Sequence, residues 1–126
     1  MNCMELTEDQ VRDKAKEILG FNNIENIECG VGQLTTFNQL GFKGISDKPD
    51  GWYLPKEKSS PALILEVKSE KTKLEQKSID EILKNCKIAH KKYKNVMGIL
   101  YNGRETKAFV NETEIEVPKK KKKKEF

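Results

Sequence analysis

The sequence predicts an α/β domain with a mixed central sheet flanked by helices. Three features carry that expectation. An amphipathic helix opens the chain, a strand apolar on both faces lies near its middle, and a long amphipathic helix leads from that strand to another apolar one. A helix between two strands is the connection parallel pairing requires, whereas short polar loops join antiparallel strands. The predicted order is helix, strand, strand, strand, helix, strand, strand.

The first helix is expected over residues 7–19. Thr7 is its N-cap, with Gln10 three residues on as the capping-box partner. Val11, Ala15, Ile18 and Leu19 share one face, and Gly20 ends the helix. At about 100° per residue Glu8 also projects onto that apolar face. In the first turn it favours the helix dipole and can reach water. Gly30, Gly32, Gly41 and Gly44 punctuate the next segment, where a short strand is expected between Ile27 and Phe37. Gly51-Trp52-Tyr53-Leu54-Pro55 is a short aromatic strand, of which one ring packs in the core. A polar connection joins it to Ala62-Leu-Ile-Leu-Glu-Val-Lys68 as a hairpin. Leu63, Ile64 and Leu65 are apolar in succession, which marks a central strand covered on both faces. Residues 74–93 form the second helix, with Ile79, Ile82, Leu83, Cys86, Ala89 and Tyr93 on its apolar face. Val96 to Tyr101 is a strand, Asn102-Gly103 is a hairpin turn, and Glu105 to Val110 returns.

A chain of 126 residues suits a single core, and 36% hydrophobic against 35% charged residues makes that core modest. No apolar run approaches the roughly 20 residues a membrane span needs, and no signal-peptide pattern opens the chain, so no membrane partner is expected. Cys3, Cys29 and Cys86 are odd in number and far apart, which fits neither a disulfide framework nor a zinc knuckle. A reduced, cytoplasmic protein is expected. His90 is the one histidine, so His-rich metal sites and any Ser-His-Asp triad built on another histidine are excluded. It reads as a polar residue of the second helix. The net charge of +4 comes from the end of the chain: without residues 119–126, 18 basic residues face 19 acidic ones. Residues 1–118 are expected to form one domain, and 119–126 a lysine-rich tail or the start of an interdomain linker.

The chemistry concentrates where the central strand ends. Glu66 and Lys68 flank Val67, so alternation puts both side chains on one sheet face. Charges on a buried strand are costly unless they are paired or hold a metal. Pro49-Asp50 opens the partner strand of the hairpin and lies opposite Glu66 or Val67. One of the two parities groups Asp50, Glu66 and Lys68 on a common face, with facing Cβ atoms about 5 Å apart. Two carboxylates so placed can share a divalent cation whose shell water completes. Glu-x-Lys alone says little, because it recurs at Glu75 to Lys77 and Glu105 to Lys107. Only the Glu66 copy ends a two-faced strand beside Pro-Asp.

Pro49-Asp50 followed by Glu66-Val67-Lys68, with fifteen residues between Asp50 and Glu66, resembles the PD-(D/E)XK nuclease superfamily. The order of elements from Glu5 to Val110 is similar to that family's restriction-endonuclease-like αβββαβ core. Lys48-Pro49-Asp50-Gly51 and the stretch from Tyr93 to Gly103 resemble, more narrowly, the amino-terminal nuclease domain of type I-like restriction-modification enzymes. The resemblance implies a metal-dependent DNA endonuclease, the cleavage module of a restriction system. It implies that Asp50, Glu66 and the Val67 carbonyl hold Mg²⁺, with Mn²⁺ able to substitute, and that Lys68 orients or activates the attacking water. Many members add a first-helix glutamate, and Glu8 is the position that matches by facing. Many also carry Gln-x-x-x-Tyr in the following helix; here Gln76 is followed by Asp80 in place of Tyr, which weakens Gln76 as a DNA contact.

A near-neutral domain must contact DNA through local features. Lys84, Lys87, Lys91 and Lys94 form a stripe on the second helix, and Lys71 and Lys73 lie beside the site. An ordinary solvated helix face explains the stripe equally well. Two other functions fit the same elements: a junction resolvase, and a catalytically inactive nucleic-acid-binding or scaffold domain. The resemblance also leads us to expect methyltransferase or helicase regions in a longer chain.

Overall fold

The computed structural model describes residues 6–19, 29–32 and 34–117. Cys3, the helix stop at Gly20 and the lysine-rich segment 119–126 lie outside the described residues.

Helix α1 (Glu8–Leu19) starts as the capping box dictates. The Thr7 amide donates to Gln10 Oε1 at 2.9 Å, and the Gln10 amide to Thr7 Oγ1 at 3.2 Å. Strands β1 (Cys29–Val31), β2 (Gly51–Tyr53) and β3 (Ala62–Val67) follow. Helix α2 (Gln76–Ala89) leads to β4 (Val96–Tyr101), β5 (Thr106–Val110) and β6 (Thr113–Ile115). The sheet runs β1-β2-β3-β4-β5-β6. Every neighbouring pair is antiparallel except β3 and β4, which are parallel and joined through α2. The mixed α/β architecture is therefore the expected one, with β6 in addition.

Each sheet face carries its own core. On the α2 side Trp52, Ile64, Leu100 and Phe109 meet Ile82, Cys86 and Ala89, and Phe37 and Phe42 from the β1–β2 connection close over them. On the α1 side Val11 and Ala15 pack on Val31, Leu65 and Val67. Ile64 and Leu65 thus serve opposite faces, as a central strand requires. Trp52 is the core aromatic of β2, whereas Tyr53 is exposed. Ile18, expected on the inward face of α1, is 66% exposed, because this smaller core ends at Ala15.

Helix α2 is shorter than its apolar periodicity suggests. Leu74 and Tyr93 are both buried but lie outside it. Tyr93 is held instead by its hydroxyl, which donates to the Pro55 carbonyl at 2.6 Å. His90 caps the helix, and its ring lies 3.7 Å from a Glu112 carboxylate oxygen in the β5–β6 turn.

Candidate active site

Three elements converge at the carboxyl end of β3. Gly51 pairs with Leu65, so Asp50, one residue earlier, lies beside Glu66; its amide donates to the Leu65 carbonyl at 3.2 Å. This is the register that groups Asp50, Glu66 and Lys68. Asp50 is 2% exposed. Its Oδ2 accepts from the Val67 amide at 2.8 Å, and its Oδ1 from Arg12 Nε of α1 at 3.0 Å. The amide and carbonyl of one strand residue point the same way, so the Val67 carbonyl also faces the Asp50 side.

Glu66 shares the parity of Ile64 and therefore turns toward α2. Asn85 Nδ2 donates to its Oε1 at 3.2 Å, and Lys68 Nζ lies 3.7 Å from its Oε2. Lys68 also makes a close ion pair with Glu81, one turn before Asn85 on α2. Burial pushes the Glu66 carboxyl up to about 8; Asp50, Glu81 and Glu8 add to the rise and Lys68 opposes it. Burial opposes the charge on Lys68, but its hydrogen bond to Glu81 and the charges of Glu66, Glu81 and Glu8 together raise its pKa. Lys68 is thus a fixed cation, unsuited to accept a proton at neutral pH.

Sequence reasoning missed Arg12, Glu81 and Asn85. Arg12 is 7% exposed, with Nη1 2.6 Å from Asp9 and Nη2 3.0 Å from Glu8. Glu8 is therefore an Arg12 partner at the rim of the site, its charge felt by Glu66 and Lys68. A signal for Asn85 was present: it sits three residues after Ile82 and four before Ala89, a polar residue on an apolar stripe.

Hard oxygen donors suit Mg²⁺, which usually takes one or two carboxylates and keeps several waters. Asp50, Glu66 and the Val67 carbonyl supply that kind of set. Among the described residues, no group of three or more His, Cys, Asp or Glu side chains forms a metal cage.

The predicted DNA-contact residues divide. Lys71 and Lys73 line a cleft of about 590 Å³ with Asn102 and Arg104, and Glu70, Glu75 and Glu105 line it too. Lys87, Lys91 and Lys94 are exposed, as a phosphate-facing stripe needs. Lys84 pairs with Asp47 at 2.8 Å, and that hydrogen bond raises its pKa. Gln76 donates to Asp80 at 2.8 Å on the exposed start of α2. No helix among the described residues is long and apolar enough to cross a membrane. Comparison with known proteins returns no matching family model, no matching curated protein and no matching solved structure, so the chemistry open to this site rests on its own residues.

Proposed function

We propose that this chain is a metal-dependent DNA endonuclease domain of the PD-(D/E)XK type, acting as the cleavage module of a restriction-modification system. The observation that supports it is the convergence of Asp50, Glu66 and Lys68 at the end of β3, with Glu66 holding a proton to about pH 8. Such proton affinity marks a carboxylate short of positive charge, which is what a cation site is before it fills. In this reading Asp50, Glu66 and the Val67 carbonyl hold Mg²⁺ or Mn²⁺. The ion supplies charge neutralisation at the phosphate and a lowered pKa for bound water.

The chain's own residues do the rest. Lys68, protonated and fixed by Glu81, places a positive charge where negative charge develops on the phosphate oxygens. Asn85 orients Glu66, and Arg12 fixes Asp50 against the Val67 amide. Lys71, Lys73 and the exposed lysines of α2 contact the DNA backbone. A cytoplasmic location belongs to the same reading.

Supercoiled-plasmid cleavage tests the proposal. Wild type with Mg²⁺ or Mn²⁺ nicks or linearises the plasmid, EDTA stops it, and Lys68→Ala abolishes it. A folded wild type that leaves plasmid intact with both metals refutes the activity. One observation favours a second reading, an inactive nucleic-acid-binding or scaffold domain: both Asp50 oxygens are already engaged, by Arg12 and by the Val67 amide. Duplex binding without cleavage, unchanged by Lys68→Ala, is what that reading expects.

A further inference from the structure

A second concave feature lies at the far end of the sheet, beyond the amino end of β3. Its pocket, of about 230 Å³, has Phe42, Pro55 and Tyr93 in its floor and Lys56, Lys58 and Lys92 on its rim. The floor residues are buried and the three lysines are exposed. Lys92 Nζ sits 5.1 Å from the Phe42 ring centroid and donates to the Gly41 carbonyl. Lys58 Nζ sits 5.3 Å from the Tyr93 centroid and 3.4 Å from the Lys56 carbonyl.

Ring quadrupole and carbonyl therefore hold both ammonium groups in place. No carboxylate lines the pocket, and among the described residues none of the three lysines is in an ion pair, unlike Lys68, Lys84 and Lys107. Three cations around one apolar floor repel each other, and an anion with several acceptor oxygens relieves that repulsion. The aromatic faces are covered by ammonium groups, so they offer no platform for a stacked base. The volume falls below the roughly 300 Å³ at which organic-ligand pockets begin. It suits a phosphate group rather than a whole nucleotide.

We propose that this pocket binds a backbone phosphate of a nucleic-acid strand, at the opposite end of the sheet from Asp50 and Glu66. The polymer is assigned from the exposed Lys91 and Lys94, which flank the pocket residues Lys92 and Tyr93 in sequence, and Lys87 one turn before them; a regularly charged chain would find further cations there. The identity of the polymer rests on the nucleic-acid reading above; the anion site rests on the pocket.

Anisotropy of a labelled 20-base-pair duplex in EDTA, from 50 to 200 mM salt, compares wild type with Lys58→Gln/Lys92→Gln and Lys58→Arg/Lys92→Arg. The Gln pair should bind about tenfold more weakly, and its salt slope should fall by about one, as loss of one neutralised phosphate requires. The Arg pair should keep both values near wild type. Wild-type affinity and slope in a folded Gln pair overturn the proposal, as does a wild type that binds no duplex. So does poly-glutamate whose binding depends on these lysines while duplex binding does not. Plasmid cleavage with Mg²⁺ is scored separately. Cleavage with an unchanged slope in the Gln pair sinks the pocket and spares the nuclease; a lowered slope without cleavage does the reverse.

Discussion

Glu66→Gln should make the metal-free domain more stable at pH 8 while removing its proposed activity. Burial, the Asp50 charge and the neighbouring glutamates raise the Glu66 carboxyl from an ordinary 4.5 to about 8. Each unit is worth about 1.4 kcal/mol, so ionised Glu66 at pH 8 costs the fold up to about 4 kcal/mol relative to a neutral isostere. Partial solvent access to the cluster reduces this to about 2–3 kcal/mol. The sign follows from the raised folded-state value: the contribution is fully present below about pH 4.5 and is lost as pH rises toward 8. Glutamine keeps an oxygen for Asn85 and is blind to pH. Urea unfolding at pH 5 and pH 8 reads the difference. With a slope of about 1.5 kcal/mol/M, the midpoint of Glu66→Gln should exceed wild type by about 1.3–2 M at pH 8. The gap should be much smaller at pH 5. Equal gaps at the two pH values, or a lower midpoint at pH 8, would refute the account of Glu66 as a carboxyl raised by burial and neighbouring charge.

Arg12→Met should destabilise the domain by about 3–5 kcal/mol, because it leaves Asp50 buried without its guanidinium. Adding Asp50→Asn should recover much of that loss, and an unfolding cycle with no recovery would show that Arg12 acts through packing alone. Gly98→Ala should cost about 1–3 kcal/mol, since its Cβ would stand 2.5 Å from Cys86 Sγ and 3.1 Å from Ile82 Cγ1. Combining it with Cys86→Ala should relieve part of the clash; additive losses in the melting temperature would contradict this geometry. Binding of Ca²⁺ at pH 7 should release close to one proton, because a held cation keeps Glu66 ionised. Titration calorimetry in two buffers of different ionisation enthalpy measures it, and the release should vanish in Glu66→Gln.

Where burial writes a pattern, the sequence was readable. Thr7 and Gln10 placed the start of α1, and successive apolar residues at 63–65 placed β3 between two cores. Val96 to Tyr101 matched β4 end to end, and Asn102-Gly103 led into an antiparallel β5. Strand β6 was missed because Thr113, Glu114 and Ile115 are all exposed, so an edge strand of this kind carries no alternation. Its turn gives no glycine signal either: Asn111 and Glu112 both take positive φ, at 49° and 71°. The ends of α2 were overdrawn because Leu74 and Tyr93 continue the apolar period while being buried from irregular chain. In the site, alternation paired Glu66 with Lys68, while hairpin length left Asp50 opposite either Glu66 or Val67, and the register has it beside Glu66. Arg12 and Glu81 were not legible, since nothing local separates a charge that turns under a sheet end from one that faces water.

The two missed charges divide the site unequally. Arg12 lies against Asp50, though it is shared with Glu8 and Asp9, so the first carboxylate has a direct guanidinium partner. Lys68 is shared between Glu66 and Glu81, and it stands closer to Glu81. Glu66 therefore has the weakest cationic support of the buried carboxylates, and it takes up a proton in compensation. A pair built only for stability would gain from losing that surplus carboxylate, because a buried charge without full compensation destabilises a fold. Retaining Glu66 beside Asp50 makes sense when a further positive charge arrives from outside the chain. On the proposed reading, the Glu66 side, facing Asn85 and Glu81, is where a bound cation would be most needed. Asp50 acts as the anchored partner, its position set by α1 through Arg12 and by β3 through the Val67 amide.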